Sequence, residues 1–197
     1  MCEDIEVSNC YFKNFSLGVR TTHCSRVLCH DNVGINGQHN LLSFYHGSEY
    51  IKFYNNWFSH VKHPLVWDGG DCSPQNQRLV PNLPRDVMRN MLPTDKDYAI
   101  HMTGTYEVYC HNNYGEYGKT LLWGRKGRRV IMTANSSKYQ YDMALDAEGC
   151  EEVIVANNIC TNSKAAGIGS FYHNDKTVIT GNMVIIEDIG DDIYKGQ

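Results

Sequence analysis

Apolar residues alternate with polar ones over short stretches of this chain, and the stretches end repeatedly on asparagine. Val27 and Cys29 lead to Asn32, Ile51 and Phe53 to Asn56, Val108 and Cys110 to Asn113. Val130 and Met132 lead to Asn135, Val153 and Val155 to Asn158, and Thr177 and Ile179 to Asn182. The first copy is atypical, with Ile5 and Val7 leading to Asn9 and Cys10. Alternation with a period of two marks a strand with one buried face. Between the ends of successive copies the steps are 22, 24, 57, 22, 23 and 24 residues. A period of that size marks a solenoid. Strands this short, one per coil, find their partners in the next coil, in parallel, at about 4.8 Å. A leucine-rich horseshoe needs a leucine pattern that is missing here, and a helical repeat needs a 3.6-residue stripe that is also missing.

The recurrent asparagine has two physical uses. It tolerates the left-handed backbone that a sharp corner needs, and stacked asparagine amides can hydrogen-bond from coil to coil. A second strand is expected 8 to 15 residues later in each coil, at 41–46, 65–68, 121–126, 143–148 and 168–173. These stretches begin aliphatic and end polar. The 57-residue step reads as one coil carrying an insertion, at about residues 69–104, where four of the five prolines fall. Insertions in solenoids emerge on one face and are often the binding face.

On these repeats the chain resembles the right-handed parallel β-helix proteins of the pectate-lyase-like superfamily. The resemblance implies an all-β fold: one right-handed parallel β-helix domain over residues 1–197, of about seven coils with one long loop. It leaves activity open, because that superfamily includes hydrolases, lyases, phage tailspikes and adhesins. Neither end shows an amphipathic capping helix. The expectation is therefore a segment of a longer protein, or ends covered by a partner domain or by association as a homotrimer.

Composition narrows the partners. A net charge of -4 with 20% charged residues lacks the basic stripe of a nucleic-acid binder. No apolar run is long enough for a membrane span, and the first residues do not read as a signal peptide. The eight cysteines are most simply small apolar residues filling core columns, with Cys29 and Cys110 at one repeat position and Cys24 and Cys150 at another. Disulfides and metal ligation remain alternatives, and His60 with His63 has ligand-like spacing.

Aligning the second strands assembles a mixed-charge wall. It carries Tyr45 and His46, Asp68 and Asp71, Arg125 and Lys126, Asp146 and Glu148, then Tyr172 and His173. Asp146 and Glu148 alternate with Leu145 and Ala147, which predicts both carboxylates on one face about 7 Å apart, with Asp68 two coils off at roughly 9–10 Å. Trp67 and Trp123 are expected to point inward. Such carboxylate separations suit inverting glycoside hydrolysis. The leading expectation is a glycoside hydrolase acting on a polysaccharide or oligosaccharide, outside the cell or on a virion. In it Asp146, Glu148 and Asp68 do the chemistry, while Arg125, Lys126, His46, Asp71, Tyr172 and His173 contact the sugar, and no cofactor is needed. Two other readings stay open: a polysaccharide lyase using Arg125 or Lys126 as base with calcium as a possible cofactor, and a non-catalytic glycan-binding tailspike or adhesin segment.

Overall fold

A computed structural model describes residues 2–69, 104–172 and 174–187. Its eighteen strands form three walls of a β-solenoid of about six turns. The first wall stacks β1 (Cys2–Ser8), β4 (Cys24–His30), β6 (Glu49–Tyr54), β8 (Thr105–His111), β11 (Gly127–Thr133), β14 (Glu151–Ala156) and β17 (Val178–Thr180). The second stacks β2 (Tyr11–Phe15), the leading half of β5 (Val33–Tyr45), the leading half of β7 (Trp57–Asp68), β9 (Tyr114–Glu116), β12 (Ser136–Lys138), β15 (Ile159–Thr161) and β18 (Met183–Ile185). The third runs from β3 (Val19–Thr22) through the trailing halves of β5 and β7 to β10 (Leu122–Arg125), β13 (Met143–Glu148) and β16 (Ala166–Phe171). Every strand pairing among the described residues is parallel.

The first and third walls are the two repeated strands expected from the alternation. The second wall was not anticipated: several of its strands have three residues, too few to display a period. Inward columns fill the core with Val27, Ile51, Val108, Val130 and Val153 from the first wall and Leu42, Leu65, Leu122 and Leu145 from the third. Cys24, Cys29, Cys110, Cys150 and Cys160 are buried free thiols, and burial pushes those of Cys29, Cys110 and Cys160 up.

Among the described residues all 23 non-glycine residues with positive φ fall in four columns, one per corner of the coil. Left-handed backbone costs a non-glycine residue roughly 1–2 kcal/mol, so each corner needs compensation along its column. At the corner within the first wall the charges alternate, with Arg26 on Asp4 at 2.6 Å, Arg129 on Glu107 at 2.6 Å and on Glu152 at 3.6 Å, and Lys176 on Glu152 at 3.8 Å.

At the next corner the left-handed residues are Asn9, Asp31, Asn55, Asn112, Ala134 and Asn157, with Gly181. The recurrent asparagines themselves have ordinary φ, which corrects the expectation that they make the left-handed turn; the residue before each one does. Their side chains do form the coil-to-coil ladder. Asn56 Nδ2 donates to Asn113 Oδ1 at 2.9 Å and Asn113 Nδ2 to Asn135 Oδ1 at 2.9 Å. Each Nδ2 also donates to a backbone carbonyl of the preceding coil, as Asn113 does to Phe53 at 3.0 Å. Since Asn56 bonds Asn113 directly, the 57-residue step is a single rung of the stack. Residues 70–103 lie outside the described residues.

Candidate functional site

Pairing of β10 with β7 and β13 fixes the columns of the third wall. Asp68, Arg125, Glu148 and Phe171 stand in one outward row, preceded by Tyr45. Val66, Trp123, Asp146 and Gly169 stand in the neighbouring outward row. Leu145 and Ala147 are fully buried inward, so Asp146 and Glu148 do share the outer face.

Two expectations need correction. First, Trp123 does not follow Trp67 inward. Leu65 pairs with Leu122, which puts Gly124, not Trp123, over Trp67. A Cβ on Gly124 would come within 2.2 Å of three indole atoms of Trp67, so one large ring and one missing side chain share that layer. Trp123 consequently faces out, half-buried, with its indole N–H donating to Glu148 Oε1 at 3.2 Å.

Second, Asp146 and Glu148 do not hold their carboxyl groups about 7 Å apart; the two lie within hydrogen-bonding reach. Asp146 is only 2% exposed, and its Oδ1 has no hydrogen-bond partner. That oxygen lies beside Gly169, where a Cβ would come within 2.8 Å of it. Burial first, and the neighbouring Glu148 carboxylate second, push the Asp146 carboxyl up to about 8. At neutral pH it therefore keeps its proton.

Asp68 stands two coils from Glu148 in the same outward row, as expected, and it pairs with Arg125. The guanidinium grips it with Nε at 3.2 Å and Nη2 at 2.5 Å, and the Asp68 side chain is 7% exposed. Arg125 also lies 5.0 Å from the centre of the Trp123 ring. This forked, mostly buried pair fixes Arg125 against the wall.

The remaining expected residues divide. His46, Lys126 and Tyr172 occupy left-handed positions in the corner column after the third wall, beside the carboxyl row rather than in it. Asp71 and His173 lie outside the described residues. His60 and His63 do not converge: His60 stacks on Tyr117, while His63 is half-buried against Trp123 with ring centres 5.3 Å apart. Burial and the charges of Lys119 and Lys62 push the His63 imidazole down to about 3, so it is neutral at any working pH. Among the described residues no three His, Cys, Asp or Glu side chains gather as a metal site.

A feature missed by the sequence reading lies at the corner between the second and third walls. Its left-handed column is Asn14, Asn36, His60, Tyr117, Tyr139 and Asn162. The signal was present, since each stands four residues after a ladder position. His60, Tyr117 and Tyr139 stack with ring centres 4.9 and 5.0 Å apart. Beside them runs a groove of about 990 Å³, lined by Phe15, Gln38, Lys62, Lys119 and Tyr141 among others. Lys119 links groove and carboxyl pair: its Nζ lies 3.4 Å from Asp142, and its charge reaches Asp146. Set against known proteins, the chain matches no family model, no curated protein and no solved structure, so fold and geometry alone carry its functional reading.

Proposed function

We propose that this β-solenoid binds a polysaccharide or oligosaccharide along the corner groove and acts on it through the Glu148–Asp146 pair. The kinship in this reading is with right-handed, pectate-lyase-like carbohydrate-active β-helices, working outside a cell or on a virion. The groove carries the proposal. Aromatic surfaces at Phe15 and Tyr141 offer the apolar faces on which sugar rings rest, the edge of the stacked Tyr117 borders them, and Asn36, Gln38, Lys62 and Lys119 offer donors to hydroxyl or carboxylate oxygens. The cleft lies beside the wall that holds a protonated carboxyl at neutral pH, the form a general acid requires.

Within the pair, Glu148 is the more exposed member and receives the Trp123 N–H, so it is the group to meet a glycosidic oxygen. Asp146, behind it, supplies the proton that the two share. Arg125 holds Asp68 and backs Trp123, which leaves the lyase reading without a free guanidine base on this row.

One observation favours a binding role without turnover. The two carboxyl groups are closer than the roughly 5–9.5 Å that separates acid from nucleophile or base in glycosidases, so a second carboxylate outside the pair is required for hydrolysis. The experiment is a panel of neutral and uronic-acid oligosaccharides, scored for binding by calorimetry and for turnover by reducing ends. Tyr117→Ala and Tyr141→Ala are expected to weaken binding at least about tenfold, and Glu148→Gln to abolish turnover while binding persists. Binding that survives both tyrosine changes sinks the groove assignment, and turnover that survives Glu148→Gln sinks the catalytic one.

A further inference from the structure

The outward face of the second wall carries two rows in register along the whole stack. One row runs Tyr11, Val33, Trp57, Tyr114, Ser136, Ile159, Met183, and the other runs Lys13, Ile35, Ser59, Glu116, Lys138, Thr161, Ile185. A solvated wall of a solenoid is expected to be polar, yet Tyr11 is 62%, Ile159 45% and Met183 55% exposed. With Trp57 these form an apolar stripe about 29 Å long, six steps of about 4.8 Å. An uncovered stripe of this extent marks an interaction surface.

We propose that the second wall is the interface of a homodimer, in which two copies pack this wall face to face with their stacks antiparallel. The charges in the second row select the occupant. Glu116 and Lys138 sit on adjacent strands, β9 and β12, in direct register. A two-fold axis running along the strands and passing between β9 and β12 sets Glu116 against the partner's Lys138 and Lys138 against the partner's Glu116. The same axis sets Trp57 against the partner's Ile159, Val33 against the partner's Met183 and Ile35 against the partner's Ile185. Three neighbouring registers are worse. An axis through β9 opposes Glu116 to its own copy, and one through β12 does the same to Lys138. An axis between β7 and β9 leaves Lys138 facing the partner's Ile35. A surface complementary to itself under one two-fold axis is the requirement of an isologous contact, and like charges directly opposed disfavour the axes through β9 and β12.

The corner groove opens on the other side of the His60–Tyr117–Tyr139 column, so dimerisation leaves it accessible. The inference therefore stands apart from the glycan proposal. Two rows of side chains make a contact at the small end of specific interfaces, so weak association, with a dissociation constant on the order of 1–100 μM, is the expectation to test.

Sedimentation equilibrium of the full chain from about 1 to 200 μM tests it. The expected result is a mass rising from one chain toward two. Glu116→Lys and Lys138→Glu are each expected to weaken association by at least about tenfold, because each opposes like charges across the axis. The double variant Glu116→Lys/Lys138→Glu swaps the signs on both copies and is expected to return to within about threefold of the original. Ile159→Lys, on the exposed apolar row, is a second disruption independent of those charges, and circular dichroism reports whether each variant folds. A chain that stays monomeric at about 200 μM, a trimeric mass, a dimer indifferent to both charge reversals, or a double variant as weak as the singles overturns the proposal.

Discussion

The asparagine corner and the carboxyl patch of the third wall both bury polar side chains on successive strands, yet they handle them in opposite ways. Along the corner each amide finds both kinds of partner. Asn113 accepts from the Asn56 amide, and it donates to Asn135 and to the Phe53 carbonyl. An amide is donor and acceptor together, so identical residues can stack without limit. A carboxylate only accepts, so two of them on one face cannot complete each other. Asp146 and Glu148 meet the difficulty by retaining a proton, and Asp68 meets it by recruiting Arg125. Uniform columns belong to architecture, and the columns that change residue from rung to rung must balance unlike charges rung by rung.

The strongest way to break the contrast is in the ladder. Asn113→Leu leaves the Asn56 amide groups without their acceptor and the Phe53 carbonyl without its donor. At roughly 1–3 kcal/mol per orphaned group, the expected loss is about 3–5 kcal/mol in urea unfolding. A loss under about 1 kcal/mol would mean that the ladder is decoration. Next in size is Arg125→Met, which strands the Asp68 carboxylate in a nearly buried position and is expected to cost about 3 kcal/mol. Pairing it with Asp68→Asn is expected to recover most of that loss; additive losses would show that the two side chains act separately.

The ladder, the two longer walls and the single-rung nature of the 57-residue step were legible in the sequence, because burial on one face imposes alternation and a corner imposes a fixed step. Register was not. Matching the third-wall strands by their tryptophans slips β10 by one residue against β7, and a one-residue slip exchanges the two faces. Only the space demanded by the Trp67 ring against Gly124 decides the matter. The same limit hid the carboxyl contact: periodicity placed Asp146 and Glu148 on one face but carried no information on side-chain convergence. The second wall escaped because three residues show no period, and the tyrosine corner escaped because its residues change type along the column.

A third prediction sharpens the carboxyl side. The Asp146 carboxyl is raised from 3.8 to about 8 in the folded chain. Between those values the native state keeps a proton that the unfolded state releases, so stability falls as pH rises through that window. Asp146→Asn mimics the protonated form. Its stability relative to the unsubstituted chain is expected to climb from about pH 4 to pH 8 and then level off; a constant difference would count against a retained proton. The smallest expected effect returns to the corner. Ala134 holds φ 53 without a side chain able to bond there, so Ala134→Gly is expected to stabilise by about 1 kcal/mol, read as a rise in thermal midpoint.

The proton between Asp146 and Glu148 can be observed directly by following the two side-chain carboxyl carbons by NMR as pH is raised. The geometry predicts that Asp146 titrates near pH 8, far above an ordinary aspartate, and that its midpoint falls when Glu148 is changed to Gln, because the neighbouring charge is then gone. Titration of Asp146 near pH 4, unchanged by Glu148→Gln, would contradict the shared proton and remove the acid from the proposed site.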